Sequence, residues 1–354
     1  MKIIDDILLI YIWDSTEGQK STVNDLLPAI RTGKYKEIIA VSIWEYEWGK
    51  WFSHIGVDRN EFEKALIDYD ISLTIIYSSY GRCRNLTTPD PVHNTETIYF
   101  PLYWLYAAAK ESKHLSSINL YSGLPKVVIN KLATSLSNKP HPHRCTTMDY
   151  LKKHTFLDDM HFSWIETSEY YQFKYWEQKK SFLSDNYKDT LDSGKTPPAE
   201  VFKSAFEIIM ESTPSGHFWT EKTFNAIQRE RPFLIISKPG TNQLLEQYGF
   251  KSIIDELGLT EVENNHKDLD DHIMSEQYNI VEYIDNLIFS LNRNLTKYKS
   301  NPKELYDKLK PIAIHNRNRM KEIIEGKEFI PVQYTRLKSR LNLSDDDLNI
   351  VLDF

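Results

Sequence analysis

An α/β protein made of two parallel-sheet domains, followed by a helical C-terminal tail, is the architecture this sequence predicts. Three observations carry that expectation. Short apolar runs alternate with helix-spaced segments through residues 1–265, the signature of βαβ units. The stretch Glu211 to Gly240 reads as a whole unit: a strand end, a Pro/Ser/Gly loop, a helix and a second strand. From Asp268 to Gly326 the apolar spacing becomes helical.

In the first domain, residues 1–125, Ile7 to Trp13 is a buried strand and Thr22 to Arg31 has helical spacing. Glu37 to Trp44 and Ile71 to Tyr77 are strands separated by a helix over 59–68, which gives a parallel, Rossmann-like sheet. Asn85 to Asn94 is a loop, and Thr97 to Ala109 reads as strand followed by helix. The second domain, residues 126–265, opens on a strand over Lys126 to Leu136 and a helix over His143 to His154. The polar segment Lys174 to Pro198 is an exposed insertion. Phe206 to Met210 and Phe233 to Ile236 are strands flanking the helix opened by Thr220-Glu221-Lys222. Residues 266–354 form the helical region expected to pack back on the domains, with a break near Pro302 and a kink at Pro311.

Composition narrows the functional classes. A chain of 354 residues, 41% hydrophobic and 26% charged, is ordinary for globular protein with full cores. A net charge of −7 argues against a broad nucleic-acid surface and leaves only a local basic cleft, for which Arg82, Arg84, Lys110 and Lys113 are available. Cys83 and Cys145 make no disulfide framework and lack metal-ligand spacing. The N-terminal run has no basic n-region or small-residue cleavage site, and no segment reaches the length of a membrane span. The expected location is a reducing cytosolic compartment. P-loop, GxGxxG, GxSxG and CxxC patterns are absent.

Ligands of parallel sheets lie at the carboxyl ends of strands, against helix N-termini. Thr220, Glu221 and Lys222 stand at such a place. Thr220 is a helix cap. Glu221 is either a ribose ligand or a favourable first-turn acid. Lys222 opposes the helix dipole, a cost that a phosphate partner would remove. Glu211 either contacts a nucleoside or orders the loop, and Asn225 lies one turn beyond Glu221. A second cluster begins at Asn138, which shapes a loop, and runs through Pro140-His141-Pro142-His143-Arg144, a stiff turn suited to a helix start. Arg144 is the second phosphate ligand there, because a guanidinium pairs with phosphate oxygens in a bidentate way. His143 is expected to donate to a diphosphate or a sugar. The pair His141 and His143 lacks the further ligands of a zinc site, and the acidic runs near Asp268 and Asp345 read as solvated acids.

These residues together resemble a known family. Glu211, Thr220, Glu221, Lys222, Asn225, Ala226 and Pro232 follow the donor-site signature of α1,3-fucosyltransferase-like glycosyltransferases. Ser137-Asn138, Arg144 and Leu151 are similar to the S-N…R…L segment that opens their donor domain. The order Pro142-His143-Arg144, Leu157-Asp158-Asp159, Ser163-Trp164, Thr220-Glu221-Lys222, Arg231-Pro232-Phe233 is similar to viral and phage glycosyltransferase-like proteins. The resemblance spans residues 130–255. It implies a GT-B fold, two Rossmann-like domains facing a cleft, and an inverting, metal-independent transfer from a GDP- or UDP-sugar. The nucleotide sugar is a co-substrate, and no other cofactor is implied. Asn138, His143, Arg144, Glu211, Thr220, Glu221, Lys222 and Asn225 would bind this donor. The catalytic base would stand at the end of a first-domain strand, where Glu45 and Glu47 are set among Trp44, Tyr46 and Trp48. The family's E-S-P context is absent there, and Asp14 and His54 are reserves. The acceptor is a glycan or, as in phage DNA glycosyltransferases, a hydroxymethylated pyrimidine base flipped from DNA. The rival from another class is a non-catalytic viral protein that binds nucleotide sugar without turnover.

Overall fold

The computed structural model describes residues 2–12, 26–42, 58–77, 95–99, 105, 128–137, 141–164, 199–211, 217–267, 277–326 and 332–344. Glu45, Glu47, Asn138, Asp14, His54, the four basic residues of the proposed cleft and the 174–198 insertion lie outside the described residues. The chain divides into two compact units, Met1–Ala107 with Phe329–Phe354, and Ala108–Glu328.

The first unit holds a five-stranded sheet of β1 (Lys2–Ile4), β2 (Ile7–Ile12), β3 (Glu37–Ser42), β4 (Ser72–Tyr77) and β5 (Thr95–Tyr99), in that spatial order. The last four strands are parallel, as the alternation of strand and helix requires. The first strand was not foreseen. It pairs antiparallel with β2 through Asp5 and Asp6, and Asp5 adopts φ 51°, the left-handed backbone that tight hairpin turns need and Asp tolerates. The two acids that interrupt the N-terminal apolar run are therefore a turn. Helices α1 (Leu26–Ile30) and α2 (Arg59–Asp68) bury Leu26, Ile30, Phe62, Ala65 and Leu66 against Leu8, Ile38, Ala40 and Leu73. Asp58 caps α2 by accepting from Glu61 N at 2.9 Å.

The second unit contains an all-parallel sheet in the spatial order β7-β6-β8-β9, where β6 is Lys131–Ser137, β7 Met160–Trp164, β8 Ser204–Met210 and β9 Phe233–Ile236. Every residue of β8 and β9 is buried, as expected for strands covered on both faces. The chain passes from β6 outward to β7, then returns across β6 to lay down β8. The direction of winding thus reverses between β6 and β8, which makes that point of the carboxyl edge the sheet's topological switch point.

Helix α3 (Pro142–Lys153) follows β6, α4 (Ala199–Phe202) precedes β8, and α5 (Glu221–Gln228) links β8 to β9. Beyond β9 come α6 (Thr241–Leu244), α7 (Thr260–His266), α8 (Gln277–Leu295) and α9 (Pro302–Gly326), all within the second unit, whereas α10 (Val332–Arg340) belongs to the first. Helix α8 buries Ile280, Tyr283, Ile284, Leu287, Ile288, Leu291 and Leu295, a stripe at three- and four-residue spacing that packs on α3. Helix α9 covers β8 and α5, and Pro311 sits inside it without ending it. Among the described residues no helix is long and apolar enough to cross a membrane.

Candidate functional site

Glu211, the first residue beyond β8, stands at the switch point and is fully buried. Its backbone nitrogen continues the ladder by donating to Ile236 O at 3.2 Å. Its carboxylate then turns toward the start of α5. Oε1 accepts from Thr220 N at 3.0 Å and from Thr223 Oγ1 at 2.6 Å, and Oε2 accepts from Thr220 Oγ1 at 2.6 Å. Desolvation raises the Glu211 carboxyl above the ordinary range, against the opposing effects of the Lys222 ammonium and the hydrogen bonds from Thr220 and Thr223.

The carbonyl of the same residue serves the other helix. His143 Nε2 donates to Glu211 O at 2.7 Å and Arg144 Nε donates to it at 3.3 Å, using both lone pairs of that oxygen. Both side chains are buried, His143 at 3% exposure and Arg144 at 4%. Glu211 therefore ties the first turn of α3 and the first turn of α5 to one point of the sheet. Of the two readings the sequence left open for it, loop ordering is the one this geometry displays.

The two helix starts differ. In α5, Thr220 is the N-cap and accepts from Lys222 N at 3.3 Å, as its type predicts. The N–H groups of Thr220 and Lys222 are thus already engaged within the chain. In α3 the N-cap is His141, whose side chain makes no cap hydrogen bond, and Pro142 fills the first turn.

Lys222 Nζ lies 2.8 Å from Glu221 Oε1 and 3.3 Å from Thr220 Oγ1. Burial acts to raise Glu221, but the Lys222 charge and hydrogen bond hold it below the ordinary carboxylate range. With side chains 35% and 44% exposed, this pair is worth at most about 1 kcal/mol, so an incoming phosphate can take the ammonium at little cost. Asn225 follows on the same helical face, half-buried.

Sequence reasoning missed Thr223, which is wholly buried and bonded to Glu211. Its signal was its place three residues beyond the cap, where a side chain can reach back to the helix entrance. It also missed Glu263 on α7, fully buried, which accepts from Gly240 N at 2.7 Å and from Asn242 Nδ2 and Tyr283 Oη, each at 2.9 Å. Asn242 in turn bonds both backbone groups of Ile235, covering the open edge of β9. The Arg231-Pro232 part of the motif lies at the opposite, amino edge. There Arg231 donates to Ser204 O and stands near Glu207 and the Tyr306 ring, so it braces the sheet. Among the described residues no group of three His, Cys, Asp or Glu side chains is placed to hold a metal ion.

No protein-family model matches the chain, and no curated protein matches it. The crystal structure of an α1,3-fucosyltransferase is similar to 86% of this chain and to 95% of its own, with 10% identity and a TM-score of 0.35.

Proposed function

We propose that this protein is a glycosyltransferase of GT-B type that binds a nucleotide-diphosphate sugar at the carboxyl edge of the second sheet. The observation that carries this reading is the convergence of His143-Arg144 and Thr220-Glu221-Lys222 on Glu211 at the switch point. The sequence resemblance to α1,3-fucosyltransferase-like enzymes supports the same assignment. Arg144 and Lys222 take the diphosphate, helped by the start of α3. Glu221 and Asn225 face the nucleoside or sugar, and Glu211 with Thr220 and Thr223 holds the frame.

In the reaction the acceptor hydroxyl oxygen bonds to the anomeric carbon as the carbon–oxygen bond to the β-phosphate breaks. The hydroxyl proton passes to a carboxylate, for which Glu45 or Glu47 is proposed, and the diphosphate leaves with the bonding electrons. Cations fixed at the leaving group stabilise that charge as it develops. The test is calorimetric titration with GDP, UDP and their sugars, with and without EDTA, on wild type, Arg144→Ala and Lys222→Ala. Binding to wild type that both substitutions abolish supports the reading. Equal binding in all three proteins overturns the site.

A further inference from the structure

His143 is buried, one face of its ring stacks on His141 at 6.1 Å between centroids, and Nε2 is held 2.7 Å from Glu211 O. A carbonyl oxygen can only accept, so the ring proton is on Nε2. Desolvation and the neighbouring Arg144 charge pull this histidine down to about 3, so the ring carries that single proton at neutral pH. Nδ1 is then a lone-pair acceptor, and it has no partner among the described residues. Nδ1 is not among the fully enclosed side-chain atoms that lack a partner among the described residues, so that edge of the ring is open to a ligand hydroxyl. A phosphate oxygen is no partner for it, because it would set lone pair against lone pair. Beside the Arg144 guanidinium, which only donates, Nδ1 asks for a hydrogen rather than an anion.

We propose that His143 acts in the donor site as an acceptor, Nδ1 receiving a hydroxyl of the bound sugar nucleotide while Arg144 meets the diphosphate. This rests on the donor-site reading above and reverses the polarity expected for His143 from the sequence. It makes His143 a specificity residue: it separates hydroxyl-bearing nucleotide ligands from bare phosphates.

The test compares pyrophosphate, GDP and UDP, and GDP- and UDP-sugars by calorimetry on three proteins. In His143→Gln the amide nitrogen replaces Nε2 and keeps the bond to Glu211, but the Nδ1 acceptor is gone. In His143→Asn the amide oxygen replaces Nδ1 and the Glu211 bond is lost. His143→Gln is expected to lose about tenfold in nucleotide affinity with pyrophosphate unchanged, and His143→Asn to keep a nucleotide-to-pyrophosphate ratio near wild type. Equal losses for nucleotide and sugar nucleotide assign a ribose hydroxyl, whereas a loss confined to the sugar nucleotide assigns a sugar hydroxyl. Unchanged nucleotide binding in His143→Gln, or a matching loss for pyrophosphate, overturns the inference while leaving the donor site standing. Wild type that binds none of these ligands overturns the donor site itself. Should His143→Gln not fold, a collapsed affinity ratio in His143→Asn overturns the inference.

Discussion

Glu211 and Thr220, nine residues apart, share two hydrogen bonds that close the loop between β8 and α5, Thr220 N to Oε1 at 3.0 Å and Thr220 Oγ1 to Oε2 at 2.6 Å. Replacing Glu211 by Ala strands three buried donors, at roughly 1–3 kcal/mol for each one left unsatisfied. Even at about 3 kcal/mol in total, a unit of this size loses roughly 6–12 °C in melting temperature, which differential scanning calorimetry would register. Glu211→Gln keeps an acceptor oxygen and should lose less. The variant also changes the pH response. Because the folded pKa is raised, Glu211 contributes stability below its ordinary value near 4.5 and loses it as pH rises through the folded value. Glu211→Gln should therefore show a shallower decline in stability above pH 4.5 than wild type.

His143 gives the opposite sign. Its folded pKa is lowered from 6.5 to about 3, so the unfolded chain binds the proton first. Its contribution is whole above about pH 6.5 and is lost as pH falls toward 3. Urea midpoints measured from pH 7 to pH 4 should fall less steeply for His143→Gln than for wild type, by up to about 1.4 kcal/mol per pH unit. Parallel curves would mean that the ring is not held neutral in the fold.

Arg144 and Lys222 should separate by their effect on the unliganded protein. Lys222→Ala removes a half-exposed pair and the charge that opposes desolvation of Glu211, and should cost no more than about 1 kcal/mol. Arg144→Ala removes a buried donor to Glu211 O and should cost about 1–2 kcal/mol. Both should weaken nucleotide binding by at least tenfold, read in the same calorimetric series.

The sequence made the second sheet legible because its signals were local. Phe233 to Ile236 is a continuous apolar run, and it is β9 residue for residue. Thr220 carries a cap chemistry that needs no tertiary context, and it caps α5. The strand over Lys126 to Leu136 starts five residues later than expected, at Lys131, because β6 begins where its ladder partner Ser204 begins. The roles of Glu211 could not be read in advance. They depend on α3 arriving over the end of β8, a contact between residues more than sixty positions apart that no local pattern encodes. Glu263 was hidden for a similar reason: an acid in a polar stretch looks solvated until the β9 edge and Tyr283 close over it.

In the first unit, Arg340 of α10 reaches Glu37 Oε1 at 3.2 Å, beside the 2.6 Å bond from Thr74 Oγ1. Glu37 is buried, and desolvation raises its carboxyl despite Thr74 and Arg340. Arg340→Ala leaves that acid with less compensation. The arginine is 46% exposed, which limits the expected loss to about 1 kcal/mol. The sharper readout is proteolysis: cleavage before α10 should accelerate in the variant, and an unchanged digestion rate would show that the pair does not hold the helix.

Gly249 caps the 3-10 turn Leu245–Tyr248 with φ 80°, and a methyl group there would stand 2.6 Å from Arg319 Nε. Gly249→Ala should cost about 1–2 kcal/mol through backbone strain and loss of the 3.1 Å bond from Arg319 to Tyr248 O. Chemical denaturation would measure it, and a neutral substitution would mean that the turn relaxes.

The division of labour around Glu211 has a consequence for how such a site changes over generations. The bonds from Thr220, Thr223, His143 and Arg144 to Glu211 fix the loop, whereas the side chains of Glu221, Lys222 and Asn225 are only half-buried on α5. Substitutions at these half-buried positions can be sampled one at a time on an intact chassis. Under the proposed donor-site reading, altered sugar preferences are reachable by small steps here, and a library confined to those three positions is where a search for them should begin.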